Sequence, residues 1–176
     1  MTLARQHAQG AIYRNLAEMF FARASTLADR PRYRVKRDGA WCEVGWREVA
    51  TAVREIAAGL IDDGLSPGDK VAILSGTRPE WVEADLAIYS CGGITVPIYQ
   101  SNLPHECGYI LTNSESRVCF VENAKQLAKI RAVQRAGFDL DGQRSDVEVS
   151  RLVLMEGDPD GGDVIRDRFD NAAAVG

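Results

Sequence analysis

Residues 64–99 read GLSPGDKVAILSGTRPEWVEADLAIYSCGGITVPIY, two β-rich apolar runs separated by one capped helical segment. Ser66-Pro67-Gly68-Asp69 is a turn cluster: Pro67 presets φ and Gly68 tolerates positive φ, so the chain can reverse before Lys70. Val71-Ala72-Ile73-Leu74 is a continuous apolar run of strand length, the pattern of a strand covered on both faces. Thr77 and Glu80 stand at capping-box spacing with Pro79 in the first turn, which predicts a helix start there. Trp81, Val82, Asp85, Leu86, Ile88 and Tyr89 then form a mostly apolar stripe at helical spacing, and Gly92-Gly93 supplies the stop. Ile94 to Tyr99 is again β-rich, and its Pro97 predicts a strand end or a bulge. Strand, helix, strand with short joints makes a parallel pair with a right-handed crossover the default.

The flanking segments extend the same pattern. Asn15 and Glu18 have capping-box spacing, and Leu16, Met19, Phe20 and Leu27 mark one face of a first helix. Tyr33 to Arg37, the Asp38-Gly39 turn and Trp41 to Trp46 read as a hairpin, because Asp-Gly suits a two-residue turn. From Arg47, the residues Val49, Ala50, Val53, Ile56, Ala57, Leu60 and Ile61 recur with helical period until Gly64. Beyond Tyr99, a short helix is predicted over Pro104 to Thr112, a strand over Arg117 to Val121, a helix over Asn123 to Ala136 and a strand over Arg151 to Met155. Strands near 71, 95, 119 and 153 separated by helices describe an α/β fold: a doubly wound, mostly parallel sheet flanked by helices, with a peripheral antiparallel hairpin. Residues 1–11 read as a flexible N-terminus, 12–155 as the α/β unit and 156–176 as an acidic, Gly-rich tail or connection. Asp139 to Glu148 shows no sustained period and reads as a surface loop.

Composition bounds the function. A chain of 176 residues with 45% hydrophobic content is long enough for one ordinary core. A net charge of −4 gives no basic footprint for nucleic acid. The N-terminal stretch lacks the uninterrupted apolar core of a signal peptide, and no segment reaches transmembrane length, so a cytoplasmic protein is the simplest expectation. Peripheral contact with a membrane surface is compatible with it. Cys42, Cys91, Cys107 and Cys119 lack CxxC spacing and read as small buried thiols rather than metal or redox groups.

Trp46-Arg47-Glu48-Val49, Gly64 to Asp69, Arg78-Pro79-Glu80-Trp81, Gly93 to Tyr99 and Ser116 to Glu122 together resemble the N-terminal subdomain of the adenylate-forming (AMP-binding) acyl-CoA synthetases. The Val-Pro-Ile-Tyr step, followed by Tyr109-Ile110-Leu111 and Phe120-Val121-Glu122, is most similar to the long-chain fatty acyl-CoA ligases. The resemblance covers roughly residues 12 to 130. It implies a parent enzyme in which a long-chain fatty acid carboxylate attacks the α-phosphate of MgATP, after which the thiol of coenzyme A displaces AMP. Such enzymes use a Ser/Thr/Gly-rich loop ending in Pro-Lys-Gly, a Tyr-Gly-x-Thr-Glu segment, a ribose-binding Asp and a Lys on a mobile C-terminal domain. None of these motifs occurs in the 176 residues, and the phosphate loop would be expected to begin about where they end. The chain is therefore expected to be a truncated N-terminal part, inactive alone, with no catalytic, cofactor-binding or metal residues of its own.

Ser75-Gly76-Thr77 imitates the start of a phosphate loop, but Arg78-Pro79-Glu80-Trp81 supplies neither the second glycine nor the Lys, so a helix-capping role is predicted. Gly157 to Asp163 is glycine-rich but carries acids that would repel an anion. His7 and His105, the two histidines, have no Cys or Ser partner at motif spacing and read as surface residues. Trp41, Trp46 and Trp81 read as packing residues. One candidate ligand-binding segment follows from the fold: the loop after a parallel strand, with Gln100, Ser101, Asn102 and His105, lies where open α/β sheets bind ligands. Two classes of function stand. The chain is the front of an acyl-adenylating ligase, with another acyl acceptor as a variant of that reading, or it is a standalone α/β binding or assembly module. A fragment cut from its enzyme would expose apolar surface and tend to self-associate.

Overall fold

The computed structural model describes residues 12–37, 39–140, 143–157 and 163–164. The order is α1 (Leu16–Thr26), β1 (Pro31–Arg37), β2 (Ala40–Gly45), α2 (Trp46–Asp62), β3 (Lys70–Leu74), α3 (Pro79–Ser90), β4 (Ile94–Ile98), α4 (Pro104–Ser114), β5 (Val118–Val121), α5 (Ala124–Ala136), β6 (Phe138–Leu140), β7 (Gln143–Ser145), β8 (Arg151–Leu154) and β9 (Asp163–Val164). The main sheet runs β4-β3-β5-β8-β9, all neighbours parallel. Its first strand, β3, is flanked by the second and third, so the chain winds outward in both directions, as the sequence predicts.

Alternation along the strands divides the core. Val71, Ile73, Val118, Phe120 and Val153 enter one buried cluster with α1, α2 and α3. Ala72, Leu74, Cys119, Val121 and Leu154 enter a second cluster with α4 and α5. Both faces of β3 and β5 are therefore covered, which is why VAIL and VCFV read as unbroken apolar runs. The hairpin β1–β2 sits apart: its last pair is Arg37 with Ala40, and Gly39 takes the positive φ of 82° that a two-residue turn needs. Asp38 itself lies outside the described residues. Tyr33 fastens the hairpin to α3 by donating its hydroxyl to Glu83 at 2.6 Å.

Helix ends follow local chemistry. α2 closes with Gly64 at φ 84°, its N–H donating to Ile61 O and that of Leu65 to Leu60 O, a Schellman closure. Gly92 and Gly93 close α3 identically onto Tyr89 O and Ile88 O. At the start of α1, Asn15 Oδ1 accepts from Glu18 N–H at 2.8 Å, but Glu18 reaches the Arg14 N–H instead of completing the box, and Leu16 is exposed.

Four expectations change. Pro97 makes no bulge: one residue before the end of β4 it pairs with Ile73 in unbroken register, because among the described residues β4 is the outermost strand and an edge tolerates a missing N–H. The α3 N-cap is Arg78, and no side chain accepts from the first-turn backbone N–H groups as a cap, so Thr77 is not the N-cap. Asp139 to Glu148 is not simply a surface loop; β6 and β7 form a small hairpin, and Phe138, Val147 and Val149 are buried against α4 and α5. Cys107 and Cys119 are buried as expected, whereas Cys42 and Cys91 are half-buried. Of the predicted terminal segments, residues 1–11 with His7, residues 158–162 and residues 165–176 lie outside the described residues.

Candidate functional site

Three parallel strands deliver three loops to the carboxyl edge of the sheet, where the winding reverses on either side of β3. After β3, Ser75 is buried, and the Gly76 N–H donates to Glu122 Oε2 at 2.7 Å. The Ser75 hydroxyl lies 2.9 Å from Gly76 O and 3.5 Å from the same Glu122 oxygen. Glu122 follows β5 directly, so the carboxylate joins the ends of two neighbouring strands. A Cβ at Gly76 would stand 3.1 Å from Gln100 Nε2, so the Gln100 side chain lies over this glycine.

The loop after β4 is held from below by α5. Lys129 Nζ donates to Gln100 O at 2.7 Å and to Asn102 O at 2.8 Å, with a weaker contact from Gln126 Nε2 to Gln100 O at 3.4 Å. Asn123 caps α5, its Oδ1 accepting from Lys125 N–H and Gln126 N–H. Gln100 and Asn102, two of the four predicted site residues, thus join one network through their backbone carbonyls. Ser101 lies exposed on the same loop, and His105 is exposed in the first turn of α4, where Glu106 accepts the Leu103 N–H at 2.6 Å. Glu122, Gln126 and Lys129 are the partners that sequence reasoning missed. The strand-end rule applied to β5 would have singled out Glu122; nothing local points to Lys129.

The charge at this edge is acidic. Arg78 donates through Nε to Glu80 and through Nη1 to Glu156, both at 2.7 Å. Burial acts to lower the Arg78 pKa, but the two carboxylates outweigh it and hold the guanidinium above its ordinary value. The turn therefore does not fit a nucleotide phosphate: the Gly76 N–H is taken by Glu122, and Arg78, two residues on, is committed to two glutamates. No group of three or more His, Cys, Asp or Glu among the described residues is placed to hold a metal ion. The thiols are not poised for chemistry either, since burial pushes Cys119 up to about 12 and raises Cys107 and Cys91. Trp46 packs beside Phe20 under Arg32 and Trp81 lines the core, but Trp41 is 70% exposed, which corrects its reading as a packing residue.

Two clefts lie elsewhere. One of about 910 Å³ opens at the amino ends of β3 and β5, between Lys70, Arg117, Thr112 and Asp146; the other, about 660 Å³, lies between the hairpin and the start of α2. Both are open and lined by charges of both signs. The carboxyl edge remains the candidate site, because polar groups from three strand ends converge there.

Comparison with known proteins agrees with this architecture. The family described as AMP-binding enzyme matches residues 20–165. The protein named long-chain-fatty-acid–CoA ligase FadD15 of Mycobacterium bovis is 39% identical over 108 residues, which is 61% of this chain and 18% of that protein. The long-chain-fatty-acid–CoA ligase ACSBG2 of Xenopus laevis is 35% identical over 99 residues, 56% of this chain and 13% of that protein. Among solved structures, the anthranilate CoA ligase AuaEII in complex with anthranoyl-AMP superposes with a TM-score of 0.72 at 20% identity, over 92% of this chain and 28% of that one. A putative long-chain-fatty-acid CoA ligase from Rhodopseudomonas palustris gives 0.69 at 22% identity, over 86% of this chain and 35% of that one. These likenesses establish the fold. The aligned region spans less than a fifth of the length of the curated relatives it matches. With the match running from within α1 through β9, the chain belongs to the AMP-binding enzyme family.

Proposed function

We propose that this chain supplies the N-terminal α/β subdomain, residues 12–155, of an ATP-dependent long-chain fatty acid–CoA ligase, with 156–176 leading to the remainder. The observation that carries the proposal is the 39% identity over 108 residues to a protein named for that activity. In the parent reaction a fatty acid carboxylate attacks the α-phosphate of MgATP, releasing pyrophosphate, and the coenzyme A thiol then displaces AMP from the acyl-adenylate. Such chemistry requires phosphate held by backbone N–H donors and a cation, and a desolvated, in-line carboxylate. The Ser75-Gly76-Thr77 turn does not meet that requirement, since its Gly76 N–H is taken by Glu122. The part of this chain is to build a rigid platform. Lys129 and Glu122 fix the loops after β3 and β4, and Gln100, Ser101, Asn102 and His105 form the segment proposed to face ligand.

The chain alone is proposed to be inactive and to work in the cytoplasm as part of the whole enzyme; no helix among the described residues is long and apolar enough to cross a membrane. Trp41 and Tyr99, 70% and 79% exposed, belong to surface that the remainder would cover, so the isolated chain should self-associate weakly through side chains. Calorimetric titration with ATP, AMP, a long-chain acyl-adenylate analogue and coenzyme A, each separately, tests the reading. No saturable binding is expected. Saturable binding of any of the four would mean that this unit holds a functional pocket of its own.

A further inference from the structure

Among the described residues β4 pairs with β3 alone, which leaves one edge of the parallel sheet open. An open edge presents alternate amide groups as a template for another strand. Here their direction is fixed. Ile94 N–H donates to Asp69 O at 2.8 Å, so the N–H and C=O groups of 94, 96 and 98 face β3, and those of 95 and 97 face outward. Position 97 is an exposed proline in unbroken register with Ile73. The missing N–H therefore falls on the outer side, where the sheet itself loses no bond.

The usual edge protections are absent around it. Ile94-Thr95-Val96-Pro97-Ile98-Tyr99 carries no charge, and every residue but Pro97 favours extended structure. A six-residue, uncharged, β-prone segment is the signature of self-pairing strands, and the one departure from that signature is the proline. Ile94 at the start of the strand is 49% exposed and Tyr99, just past its end, 79% exposed, so accessible apolar side chains flank the edge.

We propose that Pro97 guards this edge, preventing β4 of a second copy of the chain from extending the sheet. The occupant it excludes is a second copy because the strand matches itself. Antiparallel pairing about residue 97 sets Thr95 of one copy opposite Tyr99 of the other and position 97 opposite itself. Both ladder bonds at that central pair need the N–H that proline lacks, and without them two carbonyls are desolvated unpaired.

The test compares the full chain with Pro97→Val, Pro97→Ala and Pro97→Val combined with Ile94→Lys, by sedimentation velocity over a concentration series and by amide hydrogen exchange. In the wild type the Thr95 amide should exchange without protection at every concentration, even where side-chain contacts produce weak association. Pro97→Val should shift the weight-average mass toward that of a dimer at the same concentration and protect the amides of positions 95 and 97. Pro97→Ala restores the N–H with a smaller change of side chain and should act in the same direction, so the test survives a valine variant that fails to fold. Adding Ile94→Lys should return the protein to wild-type sedimentation. Folded proline variants that sediment like the wild type, or a wild-type Thr95 amide that is protected at any concentration, would overturn the proposal.

Discussion

Glu122 and Gly76 lie 46 residues apart in sequence, yet the carboxylate accepts the glycine N–H at 2.7 Å. A hydrogen bond to a charged group contributes about 1.5–3 kcal/mol, so Glu122→Ala should destabilise by about that amount in urea unfolding, and Glu122→Gln, which keeps an acceptor, by distinctly less. Gly108 supplies a sharper case. It lies inside α4, where alanine would gain about 1 kcal/mol of helix propensity, but a Cβ there would stand 2.8 Å from the buried Phe138 ring. Overpacking of that kind costs about 1–3 kcal/mol, so Gly108→Ala should lower the urea midpoint, and adding Phe138→Leu should recover part of the loss. Tyr33 carries the pH dependence. Burial and the Glu83 carboxylate together raise its pKa above the ordinary 10.0. The neutral phenol is thus favoured in the folded state, and its contribution is complete below about pH 10 and is lost as pH rises above that, where the unfolded tyrosine ionises first. Tyr33→Phe should therefore cost about 1–2 kcal/mol at pH 7, with the difference from wild type shrinking above pH 10 in denaturant titrations.

At the scale of elements, helix ends were the most legible features. Gly64 and Gly92-Gly93 stop α2 and α3 because a left-handed residue is needed there, and glycine announces it. Glu115 closes α4 in the same way at φ 56° without being a glycine, which is why that end carries no clear signal in the residues themselves. Glu115→Gly should relieve the strain and stabilise by about 0.5–1 kcal/mol, since the exposed Lys70 pairing it sacrifices contributes little. Thermal melts at two salt concentrations would check both parts. The β6–β7 hairpin escaped sequence reading for a different reason: strands of three residues are shorter than any period, and what fixes them is burial of Phe138 and Val147 against α4 and α5. Pro97 was legible as a strand signal, but whether a proline marks an end or an edge depends on a neighbour that local sequence does not contain. The site divides along the same line. Gln100 and Asn102 follow from the strand-end rule, whereas Lys129, 29 residues beyond Gln100, reaches them only because α5 packs beneath the loop.

For the whole molecule, two buried clusters on opposite faces of one parallel sheet explain why the apolar runs of β3 and β5 could be read without a partner structure. The same architecture places the acidic carboxyl edge, with Glu80 and Glu156 on Arg78 and Glu122 on the Gly76 N–H, where a nucleotide phosphate is poorly matched. The central claim is that this unit is an interchangeable structural part of a long-chain fatty acid–CoA ligase and not a catalyst by itself. The most direct measurement replaces the 108 matched residues of the Mycobacterium bovis relative with those of this chain and follows palmitate-, ATP- and coenzyme A-dependent formation of palmitoyl-CoA. The expected kcat/KM lies within about tenfold of the unaltered enzyme, a loss of no more than about 1.4 kcal/mol in transition-state stabilisation. A folded, soluble chimera that makes no palmitoyl-CoA would contradict it.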